Sequence, residues 1–439
     1  MYIYDAEREL VTETNGGYRL GGLPIRDTFV KIGRRQRGIL YEPAVPSENS
    51  RTAIVIIHSD DDYSTRPMCG EMAKRGYVAF GGSVTDRQDT LDKKLLDVKR
   101  VIEFLKTRPG VERVVLMGHS GGATLMSAYQ AIAEKGAGFF TGDHMLISCS
   151  LNEELPPADG LMLIDSNWGN GSMTLFSIDP AVTQEGSGRN LDGRYDIFDP
   201  SHGYDPAGAH YTEAFKADFF AAQRERNNRL IHEAQERLWA IEAGKGRFVE
   251  DEPFVIAGGT QMVPGNKLFP QDTGLFAHTK AEYDLLCRDG AVRHEIIRSV
   301  RKPRGRKSPT PSCGMGTLMT TVKSFLTGKA VLADTSYAVL ADGATGILWD
   351  HCYDCTPGNV KNIQVPLLCM GMTGSYEYLA AEAIYERAAS TDKTIAFVEG
   401  AGHNFEVEAE CERWPGQFGD TQKTLYDFMD RWLSKAGRF

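Results

Sequence analysis

The sequence has no long uninterrupted run of apolar residues. A helix that crosses a membrane needs about 20 such residues, and no stretch of this chain approaches that length. The first residues, Met1 to Glu7, also lack the basic start and the apolar run of a secretory signal peptide. We therefore expect a protein that has no membrane partner and is not exported.

Cysteine is sparse and irregularly spaced. The eight cysteines are Cys69, Cys149, Cys287, Cys313, Cys352, Cys355, Cys369 and Cys411. This spacing is unlike a disulfide framework, so we expect reduced thiols and a cytoplasmic location. Cys352 and Cys355 form one C-x-x-C pair, with His351 beside it, but no second pair supplies the remaining ligands of a structural zinc site. We expect no metal and no other cofactor.

The chain has fewer basic residues than acidic ones. The chain has 49 Lys and Arg residues against 59 Asp and Glu, which gives a net charge of −10 at pH 7. A nucleic-acid-binding protein needs a basic face for the phosphates, so we expect no nucleic-acid partner. Hydrophobic residues make up 41% of the chain and charged residues 25%, which is close to the globular average and argues against wholesale disorder.

Predicted strands and helices alternate along the first 165 residues. The strands are continuous apolar runs, typical of strands buried on both faces of a parallel sheet. The strands are at 53–57, 77–80, 114–117 and 160–164, and the helices between them are at 67–75, 91–106 and 123–134. Two antiparallel strands, 28–32 and 38–41, precede them. This order predicts an α/β fold with a doubly wound, mostly parallel sheet.

The alternation is lost between residues 166 and 362. That segment has a long predicted helix, roughly 209–242, and no convincing strand–helix repeat. The alternation returns with strands at 365–370 and 394–398 and helices at 380–389 and 421–434. We interpret residues 1–165 and 363–439 as one core, and residues 166–362 as a large, mainly helical cap inserted between core strands.

The sequence Gly118-His119-Ser120-Gly121-Gly122 is a G-x-S-x-G motif between a predicted strand and a predicted helix. This is the context of a nucleophile elbow, in which a tight turn lifts the serine clear of the sheet. The start of the following helix supplies oriented N–H groups. Ser120 is therefore the candidate nucleophile, and we interpret His119 as packing at the elbow.

These features resemble the α/β-hydrolase fold, on both sides of the insertion. In that family the nucleophile, the acid and the histidine follow in chain order, and the histidine lies just after the last strand. Here the strand at 394–398 leads into Gly400-Ala401-Gly402-His403, which resembles the family's G-x-G-H segment. The resemblance implies that His403 is the base that takes the proton of Ser120, a role that suits a side chain of pKa near 6.5.

The family also implies an oxyanion hole of two N–H donors. The first is that of Gly121, directly after the nucleophile. The second comes from the loop after an early strand, which usually begins His-Gly but here reads His58-Ser59-Asp60. By position the Asp60 N–H is the first candidate and Ser59 the second. Three successive aspartates, Asp60 to Asp62, are unfavourable near an oxyanion unless they turn away or pair.

Two residues compete for the role of the acid. Most family members carry it after the strand equivalent to 365–370, where the nearest carboxylate here is Glu377. Some take it from the end of the preceding core strand, where Asp165 directly follows the run at 160–164. Active sites of α/β folds lie at the carboxyl ends of the strands, where Asp165 stands. We therefore favour Asp165 over Glu377.

The resemblance implies a cofactor-independent serine hydrolase whose partner is a small-molecule ester or lactone. An amidase or an acyltransferase is an alternative that keeps the same serine. A further alternative is a non-catalytic, receptor-like ligand-binding protein, motivated by the altered 58–60 loop. The sequence leaves the substrate undefined and a homodimer open.

Overall fold

The architecture is taken from a computed structural model of the 439-residue chain. It describes residues 2–3, 24–33, 35–186, 190–304 and 316–439. The statements below on what is absent refer to these residues.

Fifteen strands and nine α-helices are present in the described residues. The strands are β1 (Tyr2–Ile3), β2 (Ile25–Ile32), β3 (Gln36–Pro43), β4 (Thr52–His58), β5 (Val78–Ser83), β6 (Arg113–Ser120), β7 (Gly160–Ser166), β8 (Pro253–Ile256), β9 (His278–Leu286), β10 (Val292–Arg298), β11 (Leu318–Thr321), β12 (Ala333–Leu340), β13 (Gly343–Ile347), β14 (Leu367–Met372) and β15 (Lys393–Val398). The helices are α1 (Pro67–Lys74), α2 (Leu91–Lys106), α3 (Gly121–Lys135), α4 (Asn170–Leu175), α5 (Glu213–Glu242), α6 (Val322–Gly328), α7 (Thr356–Asn359), α8 (Ala380–Arg387) and α9 (Thr421–Leu433).

The central sheet has eleven strands in the order β1-β2-β3-β5-β4-β6-β7-β14-β15-β9-β10. The pairs β2–β3 and β3–β5 are antiparallel, whereas every pair in the run β5-β4-β6-β7-β14-β15 is parallel. The strand order reverses between β4 and β5, so the connections wind to both sides of the sheet. This arrangement confirms the predicted α/β-hydrolase fold.

Helices pack on both faces of the sheet. On one face α2 buries Leu95, Val98, Ile102 and Leu105, the stripe that its spacing predicts, against β4 and β6. On the other face α1 and α9 enclose a second apolar cluster that includes Met72 and Met429. Every residue of β7 and β14 is buried, which explains their continuous apolar sequences.

The segment 166–362 contains more strand than expected. The long helix is present as α5, and its first turn is capped by the Thr212 side chain, which accepts from the Phe215 N–H. Two small two-stranded sheets, β8–β11 and β12–β13, lie in the same segment. The hairpin β9–β10 instead extends the core sheet, because β9 pairs parallel with β15. The hairpin covers what would otherwise be an open sheet edge. The cap boundaries at 166 and 362 stay a prediction.

No helix in the described part of the chain is long and apolar enough to cross a membrane.

Candidate active site

Ser120 lies at the turn between β6 and α3, in a strained backbone conformation. Its φ is 52° and its ψ is −129°, a region that side-chain-bearing residues rarely occupy. The flanking glycines make this turn feasible. A methyl group at Gly118 would lie 2.5 Å from the Cα of Ala123, and one at Gly122 would lie 3.0 Å from the Ile57 carbonyl oxygen. The motif therefore forms the elbow that its sequence predicts.

Asp165 is fully buried near the C-terminal end of β7, and its φ is also positive, at 42°. One carboxylate oxygen, Oδ2, is 2.7 Å from Nδ1 of His403. The other, Oδ1, accepts the Met372 backbone N–H over 3.0 Å. Because β14 supplies that donor, the carboxylate is fixed in the orientation that faces the imidazole.

His403 lies in the loop after β15, and its side chain is 35% exposed, whereas that of Asp165 is 0% exposed. Burial alone would lower the pKa of the imidazole. The carboxylates of Glu377 and Asp165, the latter through its hydrogen bond, outweigh burial and raise that pKa to about 9. Part of the ring is thus exposed, while its Nδ1 faces the carboxylates of Asp165 and Glu377.

Glu377 lies beside the same imidazole nitrogen but does not hydrogen-bond to it. Its Oε2 is 3.8 Å from His403 Nδ1. Burial raises the pKa of Glu377 to about 7, and the charge of Asp165 acts in the same direction, while His403, Lys267 and Ser120 act against it. Both candidate acids thus lie close to the His403 imidazole, and Asp165 is the one that hydrogen-bonds to it.

His119 connects the elbow to the histidine loop. Its Nε2 is 2.7 Å from the backbone carbonyl oxygen of His403, and its Nδ1 is 2.6 Å from the Tyr63 hydroxyl. A carbonyl only accepts, so Nε2 carries the proton and Nδ1 accepts from Tyr63. Burial holds the pKa of His119 well below its usual range, which keeps the ring neutral. The interpretation of His119 as elbow packing is thus incomplete, and the role of Tyr63 had no signal in the sequence.

The 58–60 loop approaches the start of α3. A methyl group at Gly121 would lie 3.0 Å from the Ser59 Oγ and 3.1 Å from the His58 Nε2. The Asp60 N–H, however, donates to His58 Nδ1 over 3.0 Å. This hydrogen bond is at odds with the expectation that the Asp60 amide is the first candidate for the second oxyanion donor, since a side-chain acceptor already occupies it.

Two of the three aspartates in this loop form ion pairs with basic side chains. Asp60 pairs with Lys94 at 3.3 Å and with Lys329 at 3.6 Å. Burial would raise its pKa, but these two ammonium groups hold the pKa well below its usual range. Asp61 pairs with Arg66 at 2.6 Å. The expected conflict between three aspartates and an oxyanion is therefore relieved for Asp60 and Asp61 by ion pairing.

Asn170, at the start of α4, is a further polar residue that contacts the 58–60 loop, and the sequence did not reveal it. Its Nδ2 donates to the Ser59 Oγ over 3.1 Å, and Ser59 in turn donates to Asp60 over 2.8 Å. Its backbone N–H donates to the Thr124 hydroxyl in α3. Nothing local in the sequence marks Asn170, because its partner Ser59 is 111 residues away.

Another group of ligand-type side chains packs against α4, where the Ser172 Oγ is 3.4 Å from the Cys355 Sγ. Cys352, Asp354 and Cys355 are all buried and place one ligand atom each within 4.8 Å of one another. Burial raises the pKa of Asp354 to about 7. In the described residues the group offers three ligands, one fewer than a structural zinc site uses.

Comparisons with known proteins give only distant structural similarity. No family model matches the chain, and no curated protein matches its sequence. A hypothetical protein from Pseudomonas aeruginosa is 14% identical, with a TM-score of 0.43, and the match covers 99% of both chains. Esterase B from Lactobacillus rhamnosis is 10% identical, with a TM-score of 0.42, over 98% of this chain and 94% of that one. An α/β hydrolase, GrgF, from a Penicillium species is 10% identical, with a TM-score of 0.40, over 95% of this chain and 100% of that one.

Proposed function

We propose that this chain is a cofactor-independent serine hydrolase that cleaves a carboxylic ester or a lactone. The observation that carries the proposal is the hydrogen bond between Asp165 and His403 at the same sheet edge as Ser120, whose backbone is strained into an elbow. The three residues follow the chain order nucleophile, acid, histidine that the fold resemblance implies. A packing role alone gives no reason for a strained serine at the sheet edge that also carries an oriented imidazole.

The proposed reaction proceeds through an acyl-enzyme. The Ser120 Oγ attacks the ester carbonyl carbon, and His403 takes the hydroxyl proton through its Nε2. The tetrahedral intermediate then collapses, the C–O bond to the leaving group breaks, and His403 returns the proton to the departing alcohol. Water, deprotonated by His403, attacks the acyl carbon. The bond from that carbon to Ser120 Oγ then breaks, His403 returns the proton to Ser120, and the acid is released. In a lactone the alcohol and the acid stay in one molecule.

Asp165 is the proposed acid of the triad. Its hydrogen bond to Nδ1 leaves Nε2 of His403 as the nitrogen that takes the Ser120 proton, and its charge stabilises the imidazolium that forms. Glu377, 3.8 Å from the same nitrogen, adds to that electrostatic field without orienting the ring. Gly121 is the proposed first oxyanion donor because its N–H begins α3 directly after the nucleophile.

The experiment that tests the proposal is turnover of p-nitrophenyl acetate and butyrate by the wild type and by Ser120→Ala. We expect activity in the wild type and a loss of at least about 10³-fold in the variant. Ser434→Ala is the matched control, since Ser434 is exposed and its hydroxyl donates to the Asp430 carbonyl oxygen at the end of α9. Equal rates in wild type and Ser120→Ala would exclude Ser120 as an esterase nucleophile.

A second measurement tests Ser120 even where the natural substrate differs from these small esters. A fluorophosphonate probe reacts with an activated serine without requiring the natural acyl group. We expect it to label the wild type at Ser120 and to leave Ser120→Ala unlabelled. Product analysis with and without an added alcohol or amine acceptor separates hydrolysis from acyl transfer.

A further inference from the structure

His58, the last residue of β4, places its imidazole beside the start of α3. A methyl group at Gly121 would lie 3.1 Å from the ring Nε2, which puts that nitrogen next to the residue that follows the nucleophile. The ring is held by stacking on Tyr63, with ring centroids 5.0 Å apart and planes 14° apart. The position is therefore set by packing as well as by the strand.

The hydrogen bonds of His58 define which ring nitrogen carries the proton. The Asp60 N–H donates to Nδ1 over 3.0 Å, so Nδ1 is the acceptor and the neutral ring carries its proton on Nε2. Burial lowers the pKa of His58 to about 4, which outweighs the opposing effect of Asp60 and Asp61 and keeps the ring neutral near pH 7. No hydrogen bond to the described residues engages Nε2.

Two of the other donors in this loop are already engaged. The Asp60 amide is bonded to His58 itself, and the Ser59 hydroxyl donates to the Asp60 carboxylate. An oxyanion hole needs donors that point at the developing charge before the reaction begins, because they then require no reorganisation. His58 Nε2–H lies beside Gly121 and can donate there without breaking an existing hydrogen bond.

We propose that His58 is a catalytic residue, whose Nε2–H donates to the oxyanion together with the Gly121 N–H. The inference rests on the proposed function, since it concerns the intermediate formed on Ser120. It replaces a backbone amide of the 58–60 loop with a side chain of the same loop. The Asp60 amide then serves to fix the imidazole tautomer.

Two substitutions separate the donor from the acceptor of this ring. Gln at position 58 retains a side-chain N–H at about the distance of Nε2 but loses the acceptor of the Asp60 amide. Asn retains an acceptor at about the position of Nδ1 but loses the distal N–H. We expect His58→Asn to lower kcat/KM and the fluorophosphonate labelling rate by about 10²–10³-fold, as for other oxyanion donors. We expect His58→Gln to retain at least ten times the activity of His58→Asn.

The opposite ranking, or wild-type rates in both variants, would overturn the proposal, since the ring would then act only by holding the loop. A wild type that the probe does not label, like Ser120→Ala, would instead overturn the proposed function. Thermal melts of both variants show whether they fold.

A crystal structure of the wild type phosphonylated at Ser120 decides the question without a variant. The phosphoryl oxygen in the oxyanion position should lie about 2.7–3.1 Å from His58 Nε2. An oxygen bound by the Ser59 or Asp60 amide and out of reach of the imidazole would overturn the proposal.

Discussion

The backbone carbonyl of His403 accepts a hydrogen bond from the ring Nε2 of His119, over 2.7 Å. His119 precedes the candidate nucleophile directly, so one residue of the elbow fixes the main chain of the candidate base. The geometry between Ser120 and His403 therefore depends on a ring whose Nε2 proton is held by the His403 carbonyl and whose Nδ1 accepts from a third residue, Tyr63.

Tyr63→Phe tests this dependence. The change removes the hydroxyl that donates to His119 Nδ1 and leaves the stacked ring, so the tautomer that holds His403 loses its support. A lost hydrogen bond of this kind costs about 1 kcal/mol, which corresponds to a roughly fivefold lower kcat. KM should not change, because the hydroxyl faces His119 and not the substrate. Steady-state kinetics beside Tyr204→Phe, a control in the insertion, measures the effect. A rise in KM with constant kcat would contradict it.

Asp165→Asn should be far more damaging than Glu377→Gln. Of the two carboxylates, Asp165 is the one that hydrogen-bonds to the His403 imidazole, and an amide in its place leaves the imidazole without that anionic partner. The same change in a Ser-His-Asp triad costs about 10⁴ in kcat. We expect a loss of that order in Asp165→Asn and less than about tenfold in Glu377→Gln at the pH optimum. Kinetics of the two purified variants checks the ranking, and a reversed ranking would assign the acid to Glu377.

The rate should rise with pH into the alkaline range. His403 must be neutral to take a proton, and Glu377 and Asp165 raise its pKa to about 9. Below that pKa, kcat/KM should fall about tenfold per pH unit. Glu377→Gln removes one of the two carboxylates, so the acidic limb of the profile should move to lower pH. A pH–rate profile of both proteins between about pH 6 and 10 is the measurement. A wild-type limb at the ordinary histidine pKa, unmoved by the substitution, would contradict the expectation.

Local sequence was sufficient for the core strands and for the elbow. A continuous apolar run such as β7 is buried on both faces, and its composition alone indicates that. The G-x-S-x-G motif is equally local, because the steric restriction at Gly118 comes from Ala123, five residues away. The preference for Asp165 over Glu377 also agrees with the hydrogen bond that Asp165 makes to His403. The Met372 N–H of β14, which orients the Asp165 carboxylate, could be seen only in the structure.

The features that were missed depend on contacts between distant parts of the chain. Tyr63 meets His119 across 56 residues, and Asn170 meets Ser59 across 111. The hairpin β9–β10 has no strand–helix rhythm of its own and joins the core only because β15, far along the chain, offers an open edge. The hydrogen bond between Asp60 and His58 is short-range, but it depends on the ring orientation that stacking on Tyr63 sets.

Gly118→Ala should destabilise the protein more than Gly138→Ala, a substitution at an exposed glycine. The new methyl group would lie 2.5 Å from the Cα of Ala123 and 2.8 Å from its backbone nitrogen, and helix backbone cannot move aside as a side chain can. Overpacking of this kind costs about 1–3 kcal/mol in the free energy of unfolding. Gly138→Ala is the matched control, because a methyl group there meets no atom within 4 Å. Urea denaturation of both variants measures the difference. Equal midpoints would mean that the turn between β6 and α3 is looser than this packing requires.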